Sequence, residues 1–177
     1  MRKLLVLLLL SGLTWQMSAQ KYGHLNFGNL MALMPETKAA DEALKKLQEE
    51  LLEKGETMAK AFQEKYLAAV KEVQSGTLSP RQQQELQQNL EKEQQALADY
   101  EQEMQEKIER KREELLTPIV EKAEQEIAAF AKENGYILVF DTSVFNAILF
   151  AQDTDDVLPA LRKKLNLPDP PVAEKKE

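Results

Sequence analysis

Across residues 36–134 the chain offers almost nothing that stops a helix. The only glycines there are Gly55 and Gly76, and the only prolines are Pro80 and Pro118. Gly76 and Pro80 fall together in Ser75-Gly76-Thr77-Leu78-Ser79-Pro80, the one segment with turn chemistry. The run is therefore expected to form two long helices folded back on each other. Short apolar, strand-like segments flank it at both outer ends. A long arm on a small base suits a protein that holds or spaces something better than it suits a catalyst.

The first helix carries a regular stripe. Counting in elevens from Ala40 at offsets zero, four and seven gives Ala40, Leu44, Leu47, Leu51, Gly55, Met58, Phe62, Tyr66, Ala69 and Val73, all apolar or aromatic except Gly55. An eleven-residue period is close to the pitch of a straight helix, so this seam should run nearly straight or wind gently right-handed. The second helix opens on a capping box, with Ser79 as N-cap, Pro80 at the first position and Gln82 reaching back. Its stripe of Leu86, Leu97, Ile108, Ile119 and Phe130 is thinner, weakened by Glu93, Glu101 and Arg112. Asn134-Gly135 is a left-handed helix stop. Folding the pair about Thr77 sets Phe62 near Gln94, Leu51 near Gln105 and Pro35 opposite Thr117-Pro118. Pro118 should kink its helix where the arm enters a packed body.

That body is expected from the two ends of the chain. Residues 22–28 alternate Leu25 and Phe27 with His24 and Asn26 between glycines, which reads as a short strand. Residues 29–34 read as an apolar connector, and Pro35 with Glu36 opens the first long helix. Residues 136–140 form a continuous β-forming apolar run, read as a strand covered on both faces. Residues 147–150 read as a second strand. Thr154-Asp155-Asp156 caps a short helix reaching about Leu165. The expected organisation is a body of residues 20–34 and 118–167, an arm of residues 35–117, and a disordered tail at residues 168–177.

Residues 1–19 read as a secretory signal peptide: Arg2-Lys3, then an unbroken apolar run from Leu4 to Leu10, then Ser18-Ala19 before Gln20. Export to the periplasm rests on this segment. Its removal takes the 23 basic residues to 21, against 30 acidic ones, leaving a net charge of −9. An acidic surface repels phosphate backbones, so no nucleic-acid partner is expected.

Chemistry-bearing motifs are sparse. His24 is the only histidine and there is no cysteine, so a metal set of the usual ligands is not available. The carboxylates sit at helical spacing from basic residues, as in Glu42 with Lys45 and Lys46 or Glu106 with Arg110, and read as a solvated, salt-bridged face. Asp153, Asp155 and Asp156 lack the glycine and closing glutamate of a calcium loop and read as helix caps. No cofactor and no enzymatic activity are expected.

The order strand, helical hairpin, strand pair and short helix resembles the layout of the Skp/OmpH periplasmic chaperones. The opening His24-Leu25-Asn26-Phe27 with Leu33-Met34-Pro35-Glu36 and Ala39-Ala40 is similar to that family's N-terminal signature. Asn134 to Asp141 with Leu149-Phe150-Ala151 is similar to its C-terminal one. The resemblance covers roughly residues 21–165. It implies an α+β fold: a helical-hairpin, coiled-coil arm on a small β body that closes into a barrel when three chains form a homotrimer. Leu25, Phe27, Ile137, Val139, Ile148 and Phe150 would build that oligomeric body. It further implies an ATP-independent holdase that binds unfolded outer-membrane proteins and prevents their aggregation. A structural coiled-coil spacer or adaptor of the cell envelope is the alternative. Family members with strongly basic arms are linked to acidic lipid and lipopolysaccharide. This chain is acidic, which argues against carrying membrane or lipopolysaccharide binding over.

Within the arm, Leu52, Leu67 and Val70 lie beside the packing stripe. They read either as contacts for a client or as a widening of the hairpin seam. Gly55 and Pro118 are the candidate arm hinges. For Gly55 the alternative is a close helix–helix contact.

Overall fold

The strand that opens the body has no neighbour in sequence to pair with. Its partner lies beyond the whole hairpin. The computed structural model describes residues 20–145 and 147–169; the expected signal peptide and the tail from residue 170 on lie outside the described residues. The order is β1 (Lys21–Leu25), α1 (Phe27–Leu33), α2 (Pro35–Gln74), α3 (Pro80–Glu133), β2 (Tyr136–Asp141), a 3-10 turn (Asp153–Asp155) and α4 (Leu158–Lys164). Two long helices and a two-stranded sheet thus make up most of the chain. Two units separate among the described residues: one holds residues 20–33 and those from 123 to 169, the other Met34–Lys122. α3 contributes to both.

In the first unit β1 and β2 pair in parallel, with Gly23 opposite Val139 and Leu25 opposite Asp141. Parallel strands require a long crossover, and here it is everything from Asn26 to Gly135. On the other side of β1, the Val157 N–H donates to the His24 carbonyl at 2.9 Å. Leu25, Leu30, Leu33, Ala123, Phe130, Val157 and Leu161 are the buried apolar side chains of this unit. Gly23 is obligatory in shape. A Cβ there would stand 2.7 Å from Val157 Cγ1 and 2.9 Å from Tyr136 Cε1.

Four expectations for the body are corrected. Phe27 does not continue the strand; it is the first residue of α1. The connector expected over residues 29–34 is this helix as far as Leu33, with Met34 between it and the next helix. Asn26 decides the matter by capping: its Oδ1 accepts the Asn29 N–H at 2.8 Å, and its carbonyl accepts the Leu30 N–H. Residues 147–150 do not form a strand, because no described segment offers them a ladder. β2 is not covered on both faces, since Ile137, Leu138 and Phe140 are half-exposed.

In the second unit α2 begins at Pro35 after Met34, whose carbonyl accepts the Thr37 N–H. The stripe holds in its lower part, where Ala40, Leu44 and Leu51 are buried, and again at Ala69. Tyr66 and Val73, expected in the seam, are half-exposed. Next to Tyr66, Lys65 pairs across the hairpin with Glu93 at 2.6 Å, so α3 presents a charge there and not an apolar side chain. The turn has Gly76 at φ +69°, and the capping box forms: Ser79 N–H donates to Gln82 Oε1 at 2.9 Å. α3 runs through Pro118 to Glu133 without a break, and Gly135 ends it at φ +71°. The ion pair Glu36–Lys122 joins the base of the hairpin, in keeping with a fold about Thr77. Along the faces, Lys45 and Lys46 turn to Glu49 and Glu50, and Lys107 turns to Glu103. Exposed pairs of this kind contribute little to stability, because water screens them.

Candidate interaction surfaces

The chain leaves much apolar surface uncovered, and it does so in two places. On the body, the segment after β2 carries Phe145, Leu149 and Phe150 at 90%, 89% and 83% exposure. Monomeric surfaces rarely leave such aromatic and aliphatic groups together in water. Ile148 is partly covered and lines a cleft of about 380 Å³ with Tyr22, His24, Phe140 and Phe150. A second groove, of about 460 Å³, lies between α3 and β2, lined by Phe27, Ile127, Ile137 and Val139. The six expected body residues therefore separate. Leu25 is buried in its own chain's core. Phe27, Ile137 and Val139 share one groove, and Ile148 and Phe150 share the other cleft.

Asp141 ties this surface together at the end of β2. Its Oδ1 accepts the Phe27 N–H at 3.1 Å and the Ser143 N–H at 2.8 Å, and its Oδ2 accepts the Ser143 hydroxyl at 2.7 Å. Burial pushes its pKa up, but the hydrogen bonds from Ser143 and Phe27 outweigh that and hold the carboxyl below its ordinary value. The same carboxylate thus caps α1 and fixes the start of the exposed segment. Asp156 plays the smaller matching part at α4, accepting the Leu158 N–H at 2.9 Å.

On the arm, the exposed large apolar side chains are Leu52, Tyr66, Leu67 and Val73, all of them on α2. Among the described residues α3 exposes none. Val70, expected beside Leu67 as a client contact, is half-buried and lines a groove of about 420 Å³ near the turn with Ala69, Val73, Leu86 and Leu90. Three glutamines, Gln74, Gln83 and Gln87, complete that groove.

The two hinge candidates sit differently. Pro118 is an exposed residue inside α3. Gly55 lies under the ring of Tyr100, and a Cβ there would meet Tyr100 Cε1 at 3.3 Å. Tyr100 is 5% exposed, and its hydroxyl donates to the Leu51 carbonyl at 2.8 Å. The sequence count of elevens selects Glu101 and passes over Tyr100. A tyrosine one position from a weak stripe residue is the signal that was there to find, because a tyrosine carries apolar bulk that a seam can use.

Chemistry of other kinds finds no centre. Among the described residues no group of acidic or histidine side chains is arranged to hold a metal ion, and no helix is long and apolar enough to cross a membrane. His24 Nε2 lies 3.1 Å from the Gln152 carbonyl. The Glu36 carboxyl is held below its ordinary pKa by the Lys122 ammonium and by a backbone hydrogen bond.

The outer membrane protein (OmpH-like) family matches this sequence over residues 21–165. The chain belongs to the OmpH-like family. The matched range runs from the first residue of β1 to just past α4, so it takes in both units. No curated protein matches the sequence. A crystal structure from Caulobacter crescentus CB15, of a protein described as an OmpH-like outer membrane chaperone, superposes with a TM-score of 0.69. The two sequences are 14% identical, and the likeness covers 84% of this chain and 85% of that one. At this identity the likeness is one of fold.

Proposed function

We propose that this OmpH-like chain is an ATP-independent holdase of the periplasm, which binds unfolded outer-membrane proteins and keeps them from aggregating in transit. The observation that carries the reading is the one-sided arm. α2 leaves Leu52, Tyr66, Leu67 and Val73 in water while α3 exposes no large apolar side chain. A spacer has no use for such a face. An unfolded client does, because scattered apolar contacts cover its own exposed side chains without demanding one sequence. Family membership supports the same reading, as does the chaperone description of the Caulobacter protein of like fold.

In this reading the working form is a homotrimer. The two-stranded sheet is marginal alone, and an unpaired edge invites another chain. Segment 147–150, without a ladder among the described residues, is the piece that a neighbouring copy would complete as a strand, closing a small barrel. Phe145, Leu149 and Phe150 then leave water. The arms are left to surround the client.

The test is suppression of aggregation. Diluting a urea-denatured β-barrel membrane protein into buffer should give a clear solution at about one trimer per client, with no nucleotide present. A spacer would leave the client to precipitate and would bind a folded partner instead.

A further inference from the structure

We propose that Tyr100 is a latch that closes a flexion point at Gly55 in the middle of the arm. Three polar links join α2 to α3 among the described residues: Glu36–Lys122 at the base, Leu51–Tyr100 in the middle and Lys65–Glu93 towards the turn. The outer two are exposed ion pairs, which water and salt loosen. The middle one is buried and runs from a side chain to the backbone.

Its position is the argument. In an α-helix the carbonyl of Leu51 already accepts the N–H of Gly55, four residues on. The Tyr100 hydroxyl takes the second lone pair of the same oxygen at 2.8 Å. A carbonyl oxygen has two lone pairs, so this second bond adds to the ladder bond without displacing it and ties this turn of α2 to α3. The residue donating the shared bond is glycine, the weakest helix former apart from proline. Gly55 also lets the ring seat, since a Cβ would stand 3.3 Å from Cε1. The Lys54 ammonium lies 4.9 Å from the ring centroid on the same turn. The softest point of α2 and, among the described residues, its only buried hydrogen bond to α3 are therefore the same place. Beside it is a groove of about 240 Å³, walled by Leu52, Ala59, Leu97 and Met104, into which the ring has room to move. With the hydroxyl seated, α2 is pinned straight. With the hydroxyl free, α2 bends at Gly55.

Packing and flexion, the two readings of Gly55, thus become one device. It does not depend on what the arm binds, and the experiment needs no client. The chain has no cysteine, so Glu42→Cys and Lys71→Cys place one spin label on each side of Gly55 in α2. Pulsed dipolar spectroscopy on the full mature protein, diluted with unlabelled chain, reads the distance between the two labels. The unaltered arm should give one narrow distribution. Tyr100→Phe keeps the ring and removes the hydroxyl. It should add a shorter-distance population, raising the bent-to-straight ratio about five-fold, the change expected for one net hydrogen bond. Tyr100→Leu should do at least as much. Adding Gly55→Ala to Tyr100→Leu, where no ring blocks the new methyl, should return the distribution to a narrow one. An unchanged distribution for Tyr100→Phe overturns the latch. A double variant that stays broad places the flexion elsewhere than Gly55 and overturns it too.

Discussion

The carboxylate of Asp141 accepts the N–H of Phe27 across 114 positions of sequence. One side chain at the end of β2 therefore sets where α1 starts and, through Ser143, how the exposed segment leaves the sheet. Asp141→Ala removes a helix cap and should cost the body about 1–2 kcal/mol. A lower thermal midpoint for the body, with helical circular dichroism retained below it, is the expected outcome. Asp141→Asn, which keeps an acceptor oxygen, should lose less.

Acid should act at the same point. The Asp141 carboxyl titrates lower in the folded chain than in the unfolded one. Its contribution is therefore complete above the ordinary carboxylate range and is lost as pH falls through the lowered folded value. Urea midpoints measured down the acid range should fall more steeply for the unaltered chain than for Asp141→Asn. Parallel curves would remove Asp141 from the account.

Gly23 should tolerate nothing larger. Alanine places a methyl within 3 Å of both Val157 and Tyr136. Overpacking of this kind costs about 1–3 kcal/mol. The loss should appear in denaturant unfolding of the body. If Gly23→Ala unfolds at the same urea concentration as the parent, the contact is softer than described.

The one-sided arm gives a paired test. Covering what remains exposed of Leu52 and Leu67 is worth about 1 kcal/mol for each. The double variant Leu52→Ser and Leu67→Ser should then weaken apparent client affinity about thirtyfold. Gln84→Ser with Gln88→Ser on α3 should leave it unchanged. Equal losses from both pairs would mean that α2 is not the binding face.

For assembly, Phe150→Asp puts a charge where a neighbouring copy is proposed to cover the ring, at an effective cost of several kcal/mol per ion. Native mass spectrometry should show monomer for this variant and trimer for the parent. A trimer that survives Phe150→Asp and Phe145→Asp together excludes this segment from the interface.

The sequence showed the hairpin clearly because the evidence for it is local. Gly76, Ser79, Pro80 and Gln82 act within a few residues of one another, and the stripe from Ala40 to Leu51 repeats on one helix. What was missed depends on tertiary partners. Phe27 alternates with Leu25 as a strand residue would, yet Asn26 and the distant Asp141 recruit it into α1. The strand expected at residues 147–150 has strand-like composition but no ladder among the described residues. Tyr66 keeps the period and loses its cover, because Glu93 answers Lys65 where an apolar side chain was needed, and Val73 keeps it at the edge of the open groove near the turn. Tyr100 breaks the period and is buried all the same, because Gly55 leaves room for it across the seam.

Parallel pairing of β1 with β2 also orders events in time. Lys21 is synthesised early, and its partner Tyr136 follows only after the whole hairpin. Closing so long a loop directly is slow, because its entropy must be given up before any contact rewards it. Zipping α2 against α3 from the turn at Gly76 shortens that search step by step. Pulsed hydrogen exchange should find α2 and α3 protected before β1. The arm is then expected to act first as the scaffold of its own chain's folding, bringing the two ends together before it is ever offered to another protein.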